Sequence, residues 1–349
     1  MSSKGPLVGP FLLEDAMDFL LEIADFVLKA AIIILAFGLM VGIIANAAQR
    51  QRKQSGELHV RNLSKQLHKM AQVIEHELLN KKQRKQAEKD EKKATKAQEK
   101  QSNDAQERVF VIDFKGSMDA HEVTSLQREI NAIIGAAKAG DTVFVRLESP
   151  GGVVHGYGLA AAQLQRLRDA ELKLVVSVDK VAASGGYMMA AVADEIVAAP
   201  FAIIGSIGVV AQLPNFHRWL KKHDVDFEQV TAGDYKRTLS VFGENTDAGR
   251  RKFKEDLENI HAQFKAHIGQ YRPQVDLKKV ATGEYWTAQQ AKEFALVDSI
   301  ATSDTWLLER AKEQTILQIT YQEKRPLGER IGKNVTAVLT SIREFLSKS

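Results

Sequence analysis

Between Leu172 and Ala199 the chain passes from one kind of apolar run to another, and the join between them most constrains what it can fold into. Leu174-Val175-Val176-Ser177-Val178 is short and rich in β-branched residues, which reads as a buried strand. Val181-Ala182-Ala183-Ser184-Gly185-Gly186-Tyr187 follows, and Tyr187 to Ala193 continues as a helix-like apolar stretch. Ser184 therefore falls on a strand-to-helix turn, with glycines directly after it. Glycine lets a substrate backbone approach closely, and a helix start offers unsatisfied N–H groups to a developing oxyanion. That suits a nucleophile, although a tight structural turn has the same outline. The companions of this string must decide.

Upstream, Thr142-Val143-Phe144-Val145-Arg146-Leu147 reads as a strand that ends in Glu148-Ser149-Pro150-Gly151-Gly152. Gly-Gly after Pro is a place where backbone N–H groups can face a ligand rather than a ladder. Downstream stand Gly205-Ser206-Ile207-Gly208-Val209 and then Thr231-Ala232-Gly233-Asp234-Tyr235-Lys236. Strand, glycine loop and helix repeated in this order resemble the signal peptide peptidase A family of serine peptidases, which share the ClpP/crotonase fold. The resemblance covers roughly Arg108 to Thr320.

The α/β class also follows from the residues alone. Arg108 to Phe114 is a strand run, and Val123 to Ala137 a helix with Leu126, Ile130, Ile133 and Ile134 on one face. Strand 142–147, a helix from Tyr157 to Asp169, strand 172–178, the Ser184 turn, a helix and strand 195–199 complete an alternating pattern, which predicts a layered α/β domain. Ala248 to Tyr271 is a long amphipathic helix. Thr287 is a candidate N-cap, with Gln290 at capping-box spacing. The expected organisation is an N-terminal amphipathic segment (1–29), a transmembrane helix (30–48), a charged helical or disordered linker region (49–107), a ClpP/crotonase-like peptidase domain (108–322) and a C-terminal amphipathic helix (323–349). Within the linker region, Leu58 to Leu79 shows helical spacing of apolar residues. Asn80 to Glu107 has too few large apolar residues to bury a core.

The anchor rests on Ala30 to Ala48, which is nearly unbroken apolar sequence of about the length that crosses a bilayer. Ala45-Asn46-Ala47 offers signal-peptidase spacing, but Glu14, Asp15, Asp18, Glu22 and Asp25 precede the run where a signal peptide needs a basic start. The expectation is an uncleaved, single-pass anchor, which the family resemblance places in a bacterial inner membrane. Arg50, Arg52, Lys53, Arg61, Lys65 and Lys69 follow it closely, so the positive-inside rule puts the bulk of the chain in the cytoplasm. The family resemblance implies the periplasmic face, and the sequence leaves both open.

Composition excludes several chemistries. The chain has no cysteine, hence no disulfide, thiol nucleophile or thiolate metal site. A net charge of +4 makes no case for nucleic acid. The nine histidines show no metal-binding spacing, and neither a metal nor a cofactor is expected.

A serine hydroxyl needs a base. No histidine occurs between Ser184 and His217, where a ClpP-type peptidase would carry one; His155 is a weaker option. The resemblance assigns the general base to Lys236, in Gly233-Asp234-Tyr235-Lys236, and puts it in one subunit with the nucleophile Ser184. Burial against apolar walls would lower the lysine pKa and free its amine. By the same resemblance Ser206 orients Lys236, and the N–H groups of Gly152 and Gly185 form the oxyanion hole. Family members carry Ser-Gly before Tyr-Lys, where this chain has Thr231-Ala232-Gly233.

The expected function is a membrane-anchored serine endopeptidase that cleaves signal-peptide remnants or unfolded, membrane-derived peptides. Its expected partners are peptide or unfolded substrates, the lipid bilayer and further copies of itself as a homo-oligomer. A catalytically silent membrane scaffold of the same fold is the alternative from another class. A crotonase-type acyl-CoA enzyme is a third reading.

Overall fold

The computed structural model describes residues 107–323 throughout, residues 56–80, and scattered positions within 26–38 and 82–89. Leu58–Gln322 forms one compact unit, and the helical residues between 26 and 38 belong to another. The unit is a mixed α/β domain built on two sheets.

Parallel strands dominate the larger sheet. β1 (Glu57–Asn62), β2 (Arg108–Lys115), β3 (Thr142–Glu148), β4 (Lys173–Val178), β6 (Glu195–Ala198), β9 (Ser299–Ile300) and β10 (Thr315–Gln322) lie in the order β1-β10-β2-β3-β4-β6-β9. From β10 to β9 every pairing is parallel. A smaller sheet contains β5 (Val181–Ala183), β7 (Ile203–Gly205) and β8 (Tyr285–Thr287), with β5 parallel to β7 and β8 antiparallel to it.

Alternation along the strands explains the layers. In β2, Phe110, Ile112 and Phe114 face one core, and Val109 and Val111 face the other. In β3, Val143, Val145 and Leu147 take the first side and Phe144 the second. Apolar residues on both faces make these strands continuous hydrophobic runs, as buried parallel sheets require. The helices of the larger core are α2 (Val123–Ala136), α3 (Val154–Asp169) and α4 (Gly185–Ala190), joined by α6 (Asp247–Tyr271). On the opposite face, α9 (Ser303–Arg310) stacks Trp306 on Phe144 with ring centroids 4.3 Å apart, and Leu63, the first residue of α1 (Leu63–Leu78), packs there too. The remaining helices are short: α5 (His217–Lys222), α7 (Leu277–Val280) and α8 (Ala288–Glu293).

Most strands and helices read from the sequence lie within two or three residues of their expected ends. The capping box forms, with the Thr287 side chain accepting from the Gln290 N–H and Gln290 answering at the Thr287 N–H. One stretch differs. Glu57–Asn62, read as part of a helical run, is a strand beside β10, so the folded unit begins well before Arg108. The Asn62 side chain accepts the Lys65 N–H at 2.8 Å and caps α1, which makes Asn62 the boundary between the two states.

The positions described within 26–38 are helical, with exposed apolar side chains such as Phe26, Ile32, Leu35 and Phe37. No helix among the described residues is long and apolar enough to cross a membrane. Positions 39–48 of the expected span, and most of the amphipathic segments expected at 1–29 and 323–349, lie outside the described residues.

A buried carboxyl ties α2 to the end of β10. Glu129 is nearly inaccessible and accepts the Tyr321 N–H at 2.7 Å. Burial, with the neighbouring Asp113 charge, pushes its pKa from 4.5 up to about 7. The folded state therefore holds this proton more tightly than the unfolded chain. Stability falls as pH rises through that window and levels off above it, a loss of roughly 2–3 kcal/mol. Glu129→Gln is expected to flatten this dependence, melting higher than the parent at pH 8 and close to it at pH 5 in thermal denaturation.

Candidate active site

The two sheets meet at Ser149. Directly after β3, Ser149 donates its N–H to Val181 O at 2.8 Å and accepts the Ala183 N–H at 3.0 Å. It therefore pairs with β5 in parallel. This lays the Pro150-Gly151-Gly152 loop alongside the end of β5, where Ser184 begins. Gly151 has φ +88, and a Cβ there would stand 2.7 Å from the Ser184 Cβ, the Ala183 O and the Gly185 N. Only glycine permits both the backbone angle and this approach.

Ser184 occupies the turn between β5 and α4 with φ 51 and ψ −120, a strained conformation for a residue with a side chain. Two hydrogen bonds hold it. Its N–H donates to Gly205 O at 2.8 Å, and its carbonyl accepts the Met188 N–H at 2.9 Å. Behind it, α4 is fixed by Tyr187, whose buried hydroxyl donates to Leu296 O at 2.9 Å, and by the His267 Nε2 contact with Met188 O at 2.9 Å. Burial lowers the His267 pKa.

The register of β5 on β7 pairs Ala183 with Gly205, so the next residues, Ser184 and Ser206, leave the sheet side by side. Ser206 also has positive φ, 52, and its N–H donates to Glu284 O at 2.6 Å.

Backbone donors surround the turn unequally. The Gly151 N–H is engaged by Ser149 Oγ at 3.1 Å, and the Val153 N–H by Met118 O at 2.8 Å. Among the described residues no acceptor meets the N–H of Gly152 or of Gly185. These are the two donors that the resemblance names.

Lys236 forms no hydrogen bond to this cluster among the described residues. It is exposed, on a loop held locally by its own N–H to Gly233 O at 3.2 Å, and no hydrogen bond or ion pair of its side chain is formed among the described residues. The expected burial of this lysine is therefore not found in the single chain. The physical reason is the segment that carries it. From Val209 to Gly243 the chain packs few residues inward and leaves Val210, Trp219, Val230 (96% exposed) and Tyr235 in the open. Phe216, Trp219, Leu220 and Phe242 line a cavity of about 340 Å³ within it. His155, the weaker base option, is exposed on α3.

Two participants escaped the sequence reading. Ser149 was legible only as part of the glycine loop, and Tyr157 only as a helix residue. In the structure both side chains are buried beneath Ser184 and hydrogen-bond each other.

Residues 18–164 match Peptidase family S49 N-terminal, and residues 166–317 match Peptidase family S49. A relative from Haemophilus influenzae, named Probable protease SohB, is 47% identical over 327 residues, covering 90% of this chain and 93% of that one. The chain belongs to peptidase family S49. A second relative of the same name, from Buchnera aphidicola subsp. Acyrthosiphon pisum, is 51% identical over 246 residues, covering 70% of this chain and 73% of its own. Among solved structures, a 1510-N membrane-bound stomatin-specific protease S97A mutant overlaps with a TM-score of 0.40 at 16% identity, over 59% of this chain and 85% of that one.

Geometry around the turn gives a direct test. A Cβ on Gly185 would run into the Tyr157 ring. Gly185→Ala is expected to destabilise the domain by about 1–3 kcal/mol and to lower peptidase turnover at least a hundredfold, read from melting curves and cleavage rates.

Proposed function

We propose that this S49 peptidase is a serine endopeptidase held at a membrane, with Ser184 as nucleophile and Lys236 as general base. The observation that carries the reading is the Ser184 turn, where a strained serine lies so near Gly151 that no side chain fits there, and where the N–H groups of Gly152 and Gly185 meet no acceptor among the described residues.

The neutral Lys236 amine takes the Ser184 hydroxyl proton as Oγ attacks the peptide carbonyl. The oxyanion is held by the Gly152 and Gly185 N–H groups, each contributing on the order of 3 kcal/mol in the transition state. The lysine ammonium then gives its proton to the leaving amine, and an acyl-enzyme remains on Ser184. Water attacks this ester with the lysine again as base, and the acid product departs. Ser206 accepts a hydrogen bond from the lysine amine and aims its lone pair at Ser184, a role supported by its place beside Ser184 in the β5–β7 register.

A lysine can serve as base only when desolvated. In a single chain Lys236 is exposed, as are the apolar residues around it. The reading therefore includes a homo-oligomer in which a second copy covers the Val209–Gly243 segment and completes the walls around the base. Exposed apolar side chains between residues 26 and 38 support an anchor continuing through Ala48. An anchored peptidase meets signal-peptide remnants and unfolded membrane-derived peptides, the substrates proposed here.

Ser184→Ala and Lys236→Ala are each expected to remove peptidase activity while the fold persists, with losses of similar size because a dyad acts as a unit. A fluorophosphonate probe should label the parent at Ser184, and peptide mapping locates the adduct. Normal turnover by a folded Lys236→Ala protein would refute the dyad. Light scattering on the detergent-solubilised chain is expected to give an oligomer, and an active monomer would contradict the covered base. In membranes, the chain should resist an alkaline carbonate wash, and release by that wash would count against the anchor.

A further inference from the structure

Beneath the Ser184 turn lies a chain of polar groups that the proposed chemistry has not used. Ser149 and Tyr157 are both fully buried. The Tyr157 hydroxyl donates to Ser117 O at 2.8 Å, because a carbonyl oxygen can only accept. Its one proton is then committed, so the 2.5 Å contact with Ser149 Oγ must run from the serine hydroxyl to the phenol oxygen. Ser149 Oγ, its own proton spent, accepts the Gly151 N–H at 3.1 Å. The relay has a single direction: Gly151 N–H to Ser149, Ser149 to Tyr157, Tyr157 to Ser117 O. Burial raises the Tyr157 pKa above its ordinary value of 10, which keeps the phenol protonated and the direction fixed.

The same tyrosine reaches the other side of the turn through its ring. The ring lies where a Cβ on Gly185 would be. One side chain is therefore connected to both sides of the turn, through Ser149 to the Gly151 N–H and by packing to Gly185. We infer that Ser149 and Tyr157 are positioning residues whose hydroxyl relay sets the spacing between the Gly152 and Gly185 N–H groups.

A purely structural role would not require this arrangement. Two apolar side chains of similar shape would fill the space, and a buried hydroxyl pair offers little net stability over them even when fully satisfied. What the relay adds is direction. It fixes which way the Gly151 N–H points and so holds the Pro150-Gly151 peptide plane, directly before the plane that carries the Gly152 N–H. Oxyanion donors act only if they are oriented before the charge develops.

This inference rests on the serine-peptidase reading, and its test separates the two. Tyr157→Phe removes one oxygen and keeps the ring against Gly185. In the full chain in detergent it is expected to lower kcat ten- to a hundredfold, leave KM within twofold, and slow fluorophosphonate labelling of Ser184 by a similar factor. Ser149→Ala should do the same, and the double variant should lose no more than the weaker single, because both interrupt one series. If Ser149→Ala does not fold, Tyr157→Phe alone carries the comparison. Amide hydrogen exchange supplies a readout independent of activity: the segment 149–153 should exchange faster in Tyr157→Phe, with strand β4 unchanged. A folded Tyr157→Phe protein with kcat within twofold of the parent, or with unchanged exchange at 149–153, would overturn the relay. A parent that neither cleaves peptides nor labels at Ser184 would instead overturn the peptidase reading, and the relay would stand or fall on the exchange result.

Discussion

At Ser149 two backbone hydrogen bonds to β5 carry the chain out of the seven-stranded sheet and into the smaller one, and the geometry around Ser184 depends on that pairing. It sets the Gly151-Gly152 loop against the end of β5 rather than over the larger sheet. The β5–β7 register then places Ser206 beside Ser184. Three segments far apart in sequence are thus brought together by strand pairing alone, before any side chain of the site makes a contact.

Such pairing also makes the strain affordable in energetic terms. Ser184 and Ser206 both hold positive φ, each at a cost on the order of 1–3 kcal/mol. The surroundings overdetermine them. Buried parallel strands lie on one side, and Tyr187 is bonded to Leu296 O on the other. Arg272 and Asp298 form a bidentate ion pair, with both contacts at 2.8 Å, and Asp298 also accepts the Ile196 N–H at 2.7 Å. That pair fastens the end of α6 to β6, and α6 in turn bears His267 against α4. Rigid support of this kind is what an oriented set of backbone donors requires.

The Val209–Gly243 segment stands in contrast. Its aromatic residues touch one another, Phe216 with Phe242 and Phe227 with Phe242, rather than the core. The proposed nucleophile therefore lies in a well-packed part of the unit and the proposed base on an exposed segment. Desolvation of this segment is the step on which the proposed dyad chemistry turns, and in the proposed oligomer it would link assembly to activity.

Much was legible in the sequence because local signals and tertiary context agree. Val143 to Leu147 and Leu174 to Val178 are short, rich in β-branched residues and apolar but for Arg146 and Ser177, which favours strands with both faces covered over a helix. Ser184 between a strand and two glycines announced a strand-to-helix turn, and Thr287 with Gln290 announced a helix start. Periodicity misread Glu57–Asn62, because an edge strand with exposed residues carries no alternating pattern, and only β10 beside it makes it a strand. Burial of Lys236 was likewise beyond the sequence, since a motif gives the residue type but not the walls around it. Ser149 and Tyr157 stayed hidden for a related reason. A serine before Pro-Gly-Gly and a tyrosine in a helix are each unremarkable, and their meaning lies in a 2.5 Å contact. The sequence by itself determined the elements and the strand-to-helix turn at Ser184, because propensity and hydrophobic period act over a few residues. The tertiary structure decided which backbone N–H groups meet no acceptor and which buried hydroxyls bond one another, because hydrogen-bond geometry depends on segments that meet only when the two sheets are joined.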